Sequence, residues 1–308
     1  MSKFLRALER AEHERTLRRQ PAPPEPISEQ GPAVPETVPY RVLRSAVDTP
    51  REGAKEGLEE HLVSLLDPTS FEAEQYRTLR HLIEQLHKST DLSVIAISSP
   101  CAADGKTTTA INLAGALAQA PDARVLLIDG DLRGGTLAAR LGLGGRVGPG
   151  LVEAILDANL PLEAVARPRP PLNLSVLPAG RLPSAPYEVL KSPRVGELFA
   201  EARRRYDYIV LDTPPLVSFP DCRVIGKWVD GFLIVVTAHR TARKLLEEAL
   251  HIMEPAKIVG LVFNADDRHL SRESYPLGRY SDRNGDGWQH HVFWSRYRTR
   301  RRPTASDD

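Results

Sequence analysis

Between residues 93 and 264, six short apolar runs alternate with segments that carry a helical pattern. The runs lie at 93–98 (SVIAIS), 124–129 (RVLLID), 174–177, 208–212 (YIVLD), 231–237 (GFLIVVT) and 258–264 (IVGLVFN). Apart from Ser175, their interiors are apolar throughout rather than at every second position, the pattern of strands buried on both faces. Helical segments, such as 106–119 and 243–253, separate them. This alternation predicts an α/β fold, a mostly parallel sheet with helices on both faces. Such sheets bind ligands beyond the carboxyl ends of their strands. Polar residues gather at those ends here: Asp129, Asp131, Asp212 and Asn264.

Composition changes sharply on either side of this core. Residues 1–20 read as a short charged helix, and 21–68 as a mostly disordered linker. In the latter, Pro21, Pro23, Pro24, Pro26, Pro32, Pro35 and Pro39 forbid a continuous helix or a central strand. The folded domain is expected over 69–265, opening with a helix at 71–87. Residues 266–308 read as a flexible tail that carries Tyr275, Tyr280 and Tyr297 and an arginine run at 298–302. The net charge of +1 provides no field that would favour nucleic acid, and no nucleic-acid partner is expected. Two cysteines, Cys101 and Cys222, cannot build a disulfide framework, so a reducing, cytoplasmic setting is expected. No apolar run approaches the ~20 residues needed to span a bilayer, so any membrane role is expected to be peripheral or to run through a partner.

The first apolar run leads into Ser98-Ser99-Pro100-Cys101-Ala102-Ala103-Asp104-Gly105-Lys106-Thr107-Thr108, whose end opens a helix. A loop of this kind, ending in Gly-Lys-Thr, aims backbone N–H groups and a helix N-terminus at a phosphate. Lys106 would reach the outer phosphates and the Thr107 hydroxyl would ligate Mg²⁺. Pro100 stands where such loops usually place their first glycine. Taken alone, Gly-Lys-Thr also fits an ordinary helix start. Two acidic motifs argue otherwise. Leu126-Leu127-Ile128-Asp129-Gly130-Asp131-Leu132-Arg133 sets two carboxylates just beyond a buried strand, and Ile209-Val210-Leu211-Asp212-Thr213-Pro214-Pro215 sets one. Phosphoryl transfer needs oxygen ligands for Mg²⁺ and a group to take the nucleophile's proton.

From about residue 71 to 264 these motifs resemble the bacterial tyrosine kinases of capsule and exopolysaccharide systems, which are P-loop NTPases. Residues 98–108 correspond to the family's Walker A loop, 127–133 to its Walker A′ and 210–215 to its Walker B. Glu74-Gln75-Tyr76-Arg77-Thr78-Leu79-Arg80 matches its E-x-x-R-x-x-R helix, and Leu177-Pro178-Ala179-Gly180 with the turn ending at Pro186 also fits. The resemblance implies an ATP- and Mg²⁺-dependent tyrosine autokinase that regulates polysaccharide synthesis and export. It implies that Asp129 organises Mg²⁺ with Thr107, that Asp212 acts on the ion through water, and that Asp131 is the base for the tyrosine hydroxyl. Lys106 belongs to this catalytic set. The nucleotide would be held by Ala103, Asp104, Gly105, Lys106, Thr107, Thr108 and Arg133, with Asn264 placed where related ATPases contact adenine. Glu74, Arg77 and Arg80 would join subunits into a ring. Tyr275, Tyr280 and Tyr297 would accept phosphate in trans from a neighbouring subunit. A membrane polysaccharide co-polymerase would activate the chain and hold it at the inner face of the cell membrane, and a cognate tyrosine phosphatase would reverse its phosphorylation.

The chain departs from the family in two places. Ala102-Ala103-Asp104-Gly105 replaces the usual Pro-Gly-Glu-Gly, and the tail tyrosines are sparse rather than clustered. Two alternatives stand beside the kinase reading, the first motivated by these departures and the second by the shared sheet and phosphate loop. One is a nucleotide-binding regulator of the same machinery that phosphorylates poorly. The other is a switch ATPase of the partitioning and septum-positioning kind, although Cys101 occupies the place of that group's signature lysine.

Overall fold

The computed structural model describes residues 58–143 and 148–266, and the backbone of 293–296. The six apolar runs are strands β1 (Val94–Ser98), β2 (Val125–Asp129), β4 (Leu174–Leu177), β5 (Tyr208–Asp212), β6 (Gly231–Thr237) and β7 (Ile258–Asn264). Two short strands join them, β3 (Arg167–Pro168) and β8 (Phe293–Arg296). The sheet runs β3-β4-β2-β5-β1-β6-β7-β8. Its six long strands pair in parallel, while β3 and β8 pair antiparallel at the two edges.

Side chains on successive strand residues point to opposite faces, and both faces are buried. Val94, Ala96, Leu126, Ile128, Ile209 and Leu211 pack into one core with α5 (Leu151–Leu156), α6 (Leu162–Val165), α8 (Pro193–Arg205) and α9 (Asp221–Ile225). Ile95, Ile97, Val125, Leu127, Val210 and Leu233 form the other core with α2 (Phe71–Thr90) and α3 (Lys106–Leu117). Further helices include α4 (Leu137–Arg140), α7 (Pro186–Leu190) and α10 (Arg243–Ile252).

Helix α2 begins where Ser70 accepts a hydrogen bond from the Ala73 N–H at 3.2 Å, with Glu72 and Glu74 in its first turn and His87 and Lys88 in its last. These charges complement the helix dipole. Its buried residues, Ala73, Tyr76, Leu79 and Ile83, recur at helical spacing and face α3. Burial pushes the Tyr76 hydroxyl up to about 12, so this tyrosine is a core residue.

Two boundaries differ from the sequence reading. The linker was expected to reach residue 68, yet residues 58–68 pack into the domain. Leu58 bridges to Leu141, Leu62 is fully buried, and α1 (Val63–Leu66) lies against α3. Asn112 of α3 accepts from the Ser64 N–H at 2.9 Å and donates to the His61 carbonyl at 2.9 Å. The physical reason is visible in the chain: the proline-dense stretch does not extend into 51–67, which has no proline and instead supplies Leu58, Leu62, Leu65 and Leu66. At the other end, β8 falls within the segment expected to be a flexible tail. The expected helix at 1–20, the rest of the linker before residue 58, and the three tail tyrosines lie outside the described residues.

Candidate nucleotide-binding site

Sheet order brings the motifs together. β5 lies between β1 and β2, and its register sets Asp212 opposite both Asp129 and Ile97. The two strand-end acids are therefore neighbours, beside the point where the loop after β1 leaves the sheet. Backbone bonds fix this meeting: the Gly130 N–H donates to the Asp212 carbonyl at 2.8 Å, and the Leu216 N–H to the Ser99 carbonyl at 2.8 Å. The Ser98 hydroxyl donates to the Pro214 carbonyl at 2.9 Å.

The loop from Ser99 to Gly105 feeds the N-terminus of α3. Gly105 takes φ +92, and a Cβ there would lie 2.0 Å from the Asn264 amide nitrogen. Both the conformation and the contact require glycine. Lys106 Nζ is 3.1 Å from Asp131 Oδ2, with both side chains about seven-eighths buried (14% and 13% exposed). The other Asp131 oxygen accepts from the N–H groups of Arg133 and Gly134 at 3.3 and 3.2 Å. Asp129 accepts from the N–H groups of Asp131 and Leu137, each at 3.3 Å.

Asp129 and Asp212 are both only 1% exposed. Burial pushes Asp129 up to about 7, and the charges of Asp212 and Asp131 add to the effect. Burial pushes Asp212 up to about 6, opposed by the charge of Lys106 and by the Thr107 hydroxyl bonded to it. Oδ1 of Asp212 is buried without a hydrogen-bond partner among the described residues. Two buried acids short of positive charge and an orphaned carboxylate oxygen suit a divalent cation. Among the described residues no group of three or more His, Cys, Asp or Glu side chains is spaced to hold a metal. Mg²⁺ takes few protein ligands and completes its shell with phosphate oxygens and water.

Lys106, Thr107, Asp129, Asp131 and Asp212 thus lie together beyond the carboxyl ends of β2 and β5. Four other expected nucleotide contacts, Arg133, Asp104, Asn264 and Thr108, have partners within the chain. Arg133 forms a two-pronged pair with Asp221, Nε to Oδ2 at 2.8 Å and Nη2 to Oδ1 at 3.0 Å, and lies 4.4 Å over the Phe219 ring. Asp221 is fully buried, so its charge demands this partner. The Asp104 side chain turns inward to neutral donors, and the Asn264 amide donates to the Asp104 carbonyl at 3.1 Å. The Thr108 hydroxyl accepts from Arg140 Nη1 at 3.3 Å. Arg140 also pairs with Glu59 at 2.8 Å and helps hold Asp212 charged. Sequence reasoning missed Asp221, Arg140, Thr237 and Thr241. Asp221 lies 88 residues after Arg133, and no local pattern links them. Cys101 carries little thiolate character, because burial and then Asp104 and Glu248 push its thiol up.

Of the ring-forming set, Arg77 pairs with Glu74 and with the Pro68 carbonyl. Arg80 turns back into its own chain, to Glu84 at 2.6 Å and to the Ala116 carbonyl at 3.0 Å. A cleft of about 580 Å³, lined by residues that include Cys222, Arg223, Phe232, Met253 and Lys257, contains none of the phosphate-loop residues.

A strand that ends in a Gly-Lys-Thr loop, backed by two buried acids on adjacent strands, is how a P-loop protein receives a nucleotide. Residues 92–257 match the family described as an AAA domain. Tyrosine-protein kinase YwqD of Bacillus subtilis is 32% identical over 70% of this chain and 90% of its own. The succinoglycan biosynthesis transport protein ExoP of Rhizobium meliloti is 32% identical over 86% of this chain, which spans only 31% of ExoP. Among solved structures, the kinase domain of the Escherichia coli tyrosine kinase ETK superposes with a TM-score of 0.61 at 27% identity, covering 71% of this chain and 84% of that one. The chain belongs to the bacterial tyrosine-kinase family.

Proposed function

We propose that the chain is an ATP-dependent protein-tyrosine autokinase of capsular or exopolysaccharide synthesis and export. The observation that carries this reading is Asp131, held at the rim of the site by two backbone N–H groups and by Lys106, with Asp129 and Asp212 buried behind it. When bound, Mg²⁺-ATP supplies the phosphoryl group and the cation that screens its charge. Lys106 and the N–H groups at the start of α3 would hold the outer phosphates, Thr107 and Asp129 would hold the metal, and Asp212 would act on it through water. Lys106 and Asp131 neutralise each other at 3.1 Å. When Lys106 turns to phosphate, Asp131 is released to accept the proton of an incoming tyrosine hydroxyl, a group with an ordinary pKa near ~10.

The same reading assigns Tyr275, Tyr280 and Tyr297 as phosphoacceptors and Glu74, Arg77 and Arg80 as the oligomerisation set of a ring. It also assigns a membrane co-polymerase as activator and a cognate phosphatase as antagonist. The names of ExoP and YwqD support the link between polysaccharide transport and tyrosine phosphorylation. No helix among the described residues is long and apolar enough to cross a membrane. The same reading places the chain at the inner face through that partner.

The test is phosphosite mapping after incubation with Mg²⁺-ATP, comparing wild type with Asp131→Asn. Wild type should gain phosphotyrosine, and the variant should lose about 10²- to 10⁴-fold in rate while still binding ATP. Equal rates would remove Asp131 from the base role. ATP binding without phosphotyrosine in the wild type would favour the poorly phosphorylating regulator, for which Pro100 in the loop speaks.

A further inference from the structure

Between β1 and α3 the phosphate loop has no glycine until Gly105. It still bends sharply: Ala103 takes φ 63 and Gly105 φ 92. The left-handed region is unfavourable for a residue with a Cβ, so something must hold Ala103 there.

Asp104 is the residue next to it, and only 2% of it is exposed. One of its carboxylate oxygens accepts from the Cys101 N–H at 3.1 Å. The other accepts from two hydroxyls, Thr237 at 3.1 Å and Thr241 at 2.6 Å. Its backbone carbonyl accepts from the Asn264 amide at 3.1 Å. The Thr241 hydroxyl in turn accepts from the Thr237 N–H at 2.9 Å. One side chain thus ties the start of the loop to its end, and the whole loop to the carboxyl end of β6. Its backbone adds a tie to the end of β7. The donors to the carboxylate are all neutral.

We propose that Asp104 is a positioning residue for the nucleotide, anchoring a glycine-poor loop in the shape that receives phosphate. The proposal rests on reading this site as the ATP site. A carboxylate suits the task because it accepts on both oxygens at once. Asparagine would keep the hydroxyl bonds on its carbonyl oxygen but present an N–H₂ to the Cys101 N–H. The anchor acts before chemistry, so its loss should weaken substrate and transition state alike and appear in KM rather than kcat.

The experiment measures the Kd of a fluorescent ATP analogue with Mg²⁺, kcat and KM for phosphotransfer, and melting temperature with and without nucleotide. The proteins are wild type, Asp104→Ala, Asp104→Asn, Thr241→Val and the double variant Asp104→Ala/Thr241→Val, with Lys106→Met as the control for the site. Asp104→Ala should raise Kd and KM by roughly 10- to 100-fold, the scale of a misplaced positioning group, with kcat at saturation nearly kept. Asp104→Asn and Thr241→Val should show smaller rises. The double variant should match Asp104→Ala, because both changes remove one shared bond. A folded Asp104→Ala that melts lower but binds ATP with wild-type Kd would reduce the role to stability and overturn the proposal. Should Asp104→Ala fail to fold, a wild-type Kd in both Thr241→Val and Asp104→Asn overturns it equally. Loss specific to the ATP-site reading looks different: wild type and Lys106→Met would then bind the analogue alike or not at all, and the proposal would fall with that reading.

Discussion

Asp129 offers the sharpest test of the site's electrostatics. It is buried beside two other acids, and burial pushes it up to about 7. In the unfolded chain an aspartate titrates near ~3.9. Between those values the folded protein keeps a proton that the unfolded chain has lost. Stability therefore falls as pH rises through this window, by up to about 1.4 kcal/mol per pH unit, and the loss is complete above the folded value. From pH 5 to pH 8 a single carboxyl of this kind removes roughly 3 kcal/mol. At about 2–4 °C per kcal/mol for a domain of this size, that is about 6–12 °C in melting temperature. Asp129→Asn removes the charge and leaves one oxygen to accept the Leu137 or Asp131 N–H. Asp207 and Asp230, whose arginine and backbone partners hold them below the ordinary range, give the opposite pH dependence. They are present in both proteins and cancel in the difference. In EDTA, the melting temperature of Asp129→Asn relative to wild type should therefore climb by about 6–12 °C between pH 5 and pH 8. Mg²⁺ with ADP should narrow the gap by compensating the wild-type charge. Scanning calorimetry or fluorimetry across the range decides it. Melting curves that stay parallel would mean that the folded protein does not strain this carboxylate, and the cation argument would lose its basis.

Two further outcomes are expected. Arg133→Ala strands the fully buried Asp221 and should cost about 3–5 kcal/mol; Asp221→Ala in the same chain should recover part of it, read by urea unfolding. Arg77→Ala with Arg80→Ala should reduce assembly measured by light scattering and also lower the melting temperature, because Arg80 bonds to the Ala116 carbonyl within its own chain; unchanged mass with a lower melting temperature would assign the pair to the domain rather than to the ring.

The core strands were legible because burial on both faces leaves an unmistakable mark on sequence. All five residues of β1, of β2 and of β5 are buried. Asp129 and Asp212 were legible because strand-end position alone brings them together once the sheet is parallel, and Lys106 because Gly-Lys-Thr opens the helix after β1. The edges were not. β3 is two residues long and includes Pro168, too little to register as a strand. The pairing of Arg133 with Asp221 was invisible because it depends on where the turn after β5 carries Phe219 and Asp221. Asp104 read as part of the phosphate cradle because its neighbours point there. Its side chain turns the other way because Thr237 and Thr241, 133 and 137 residues onward, offer hydroxyls. Long-range hydrogen bonding of this kind leaves no periodic trace.

The antiparallel strand β8 has a practical consequence. It covers β7 from Gly260 to Phe263. Cutting the chain after Asn264 is the obvious way to ask whether the tail tyrosines take up phosphate, and it would strip that cover away. What remains is Ile258-Val259-Gly260-Leu261-Val262-Phe263-Asn264, an uncharged, proline-free strand with an open row of N–H and C=O groups. Such an edge recruits other strands. The shortened protein would clump through β7, and the clumps would register in light scattering as assembly and in kinase assays as inactivity. Phenylalanine at positions 275, 280 and 297 asks the same question of the tyrosines and leaves the edge covered.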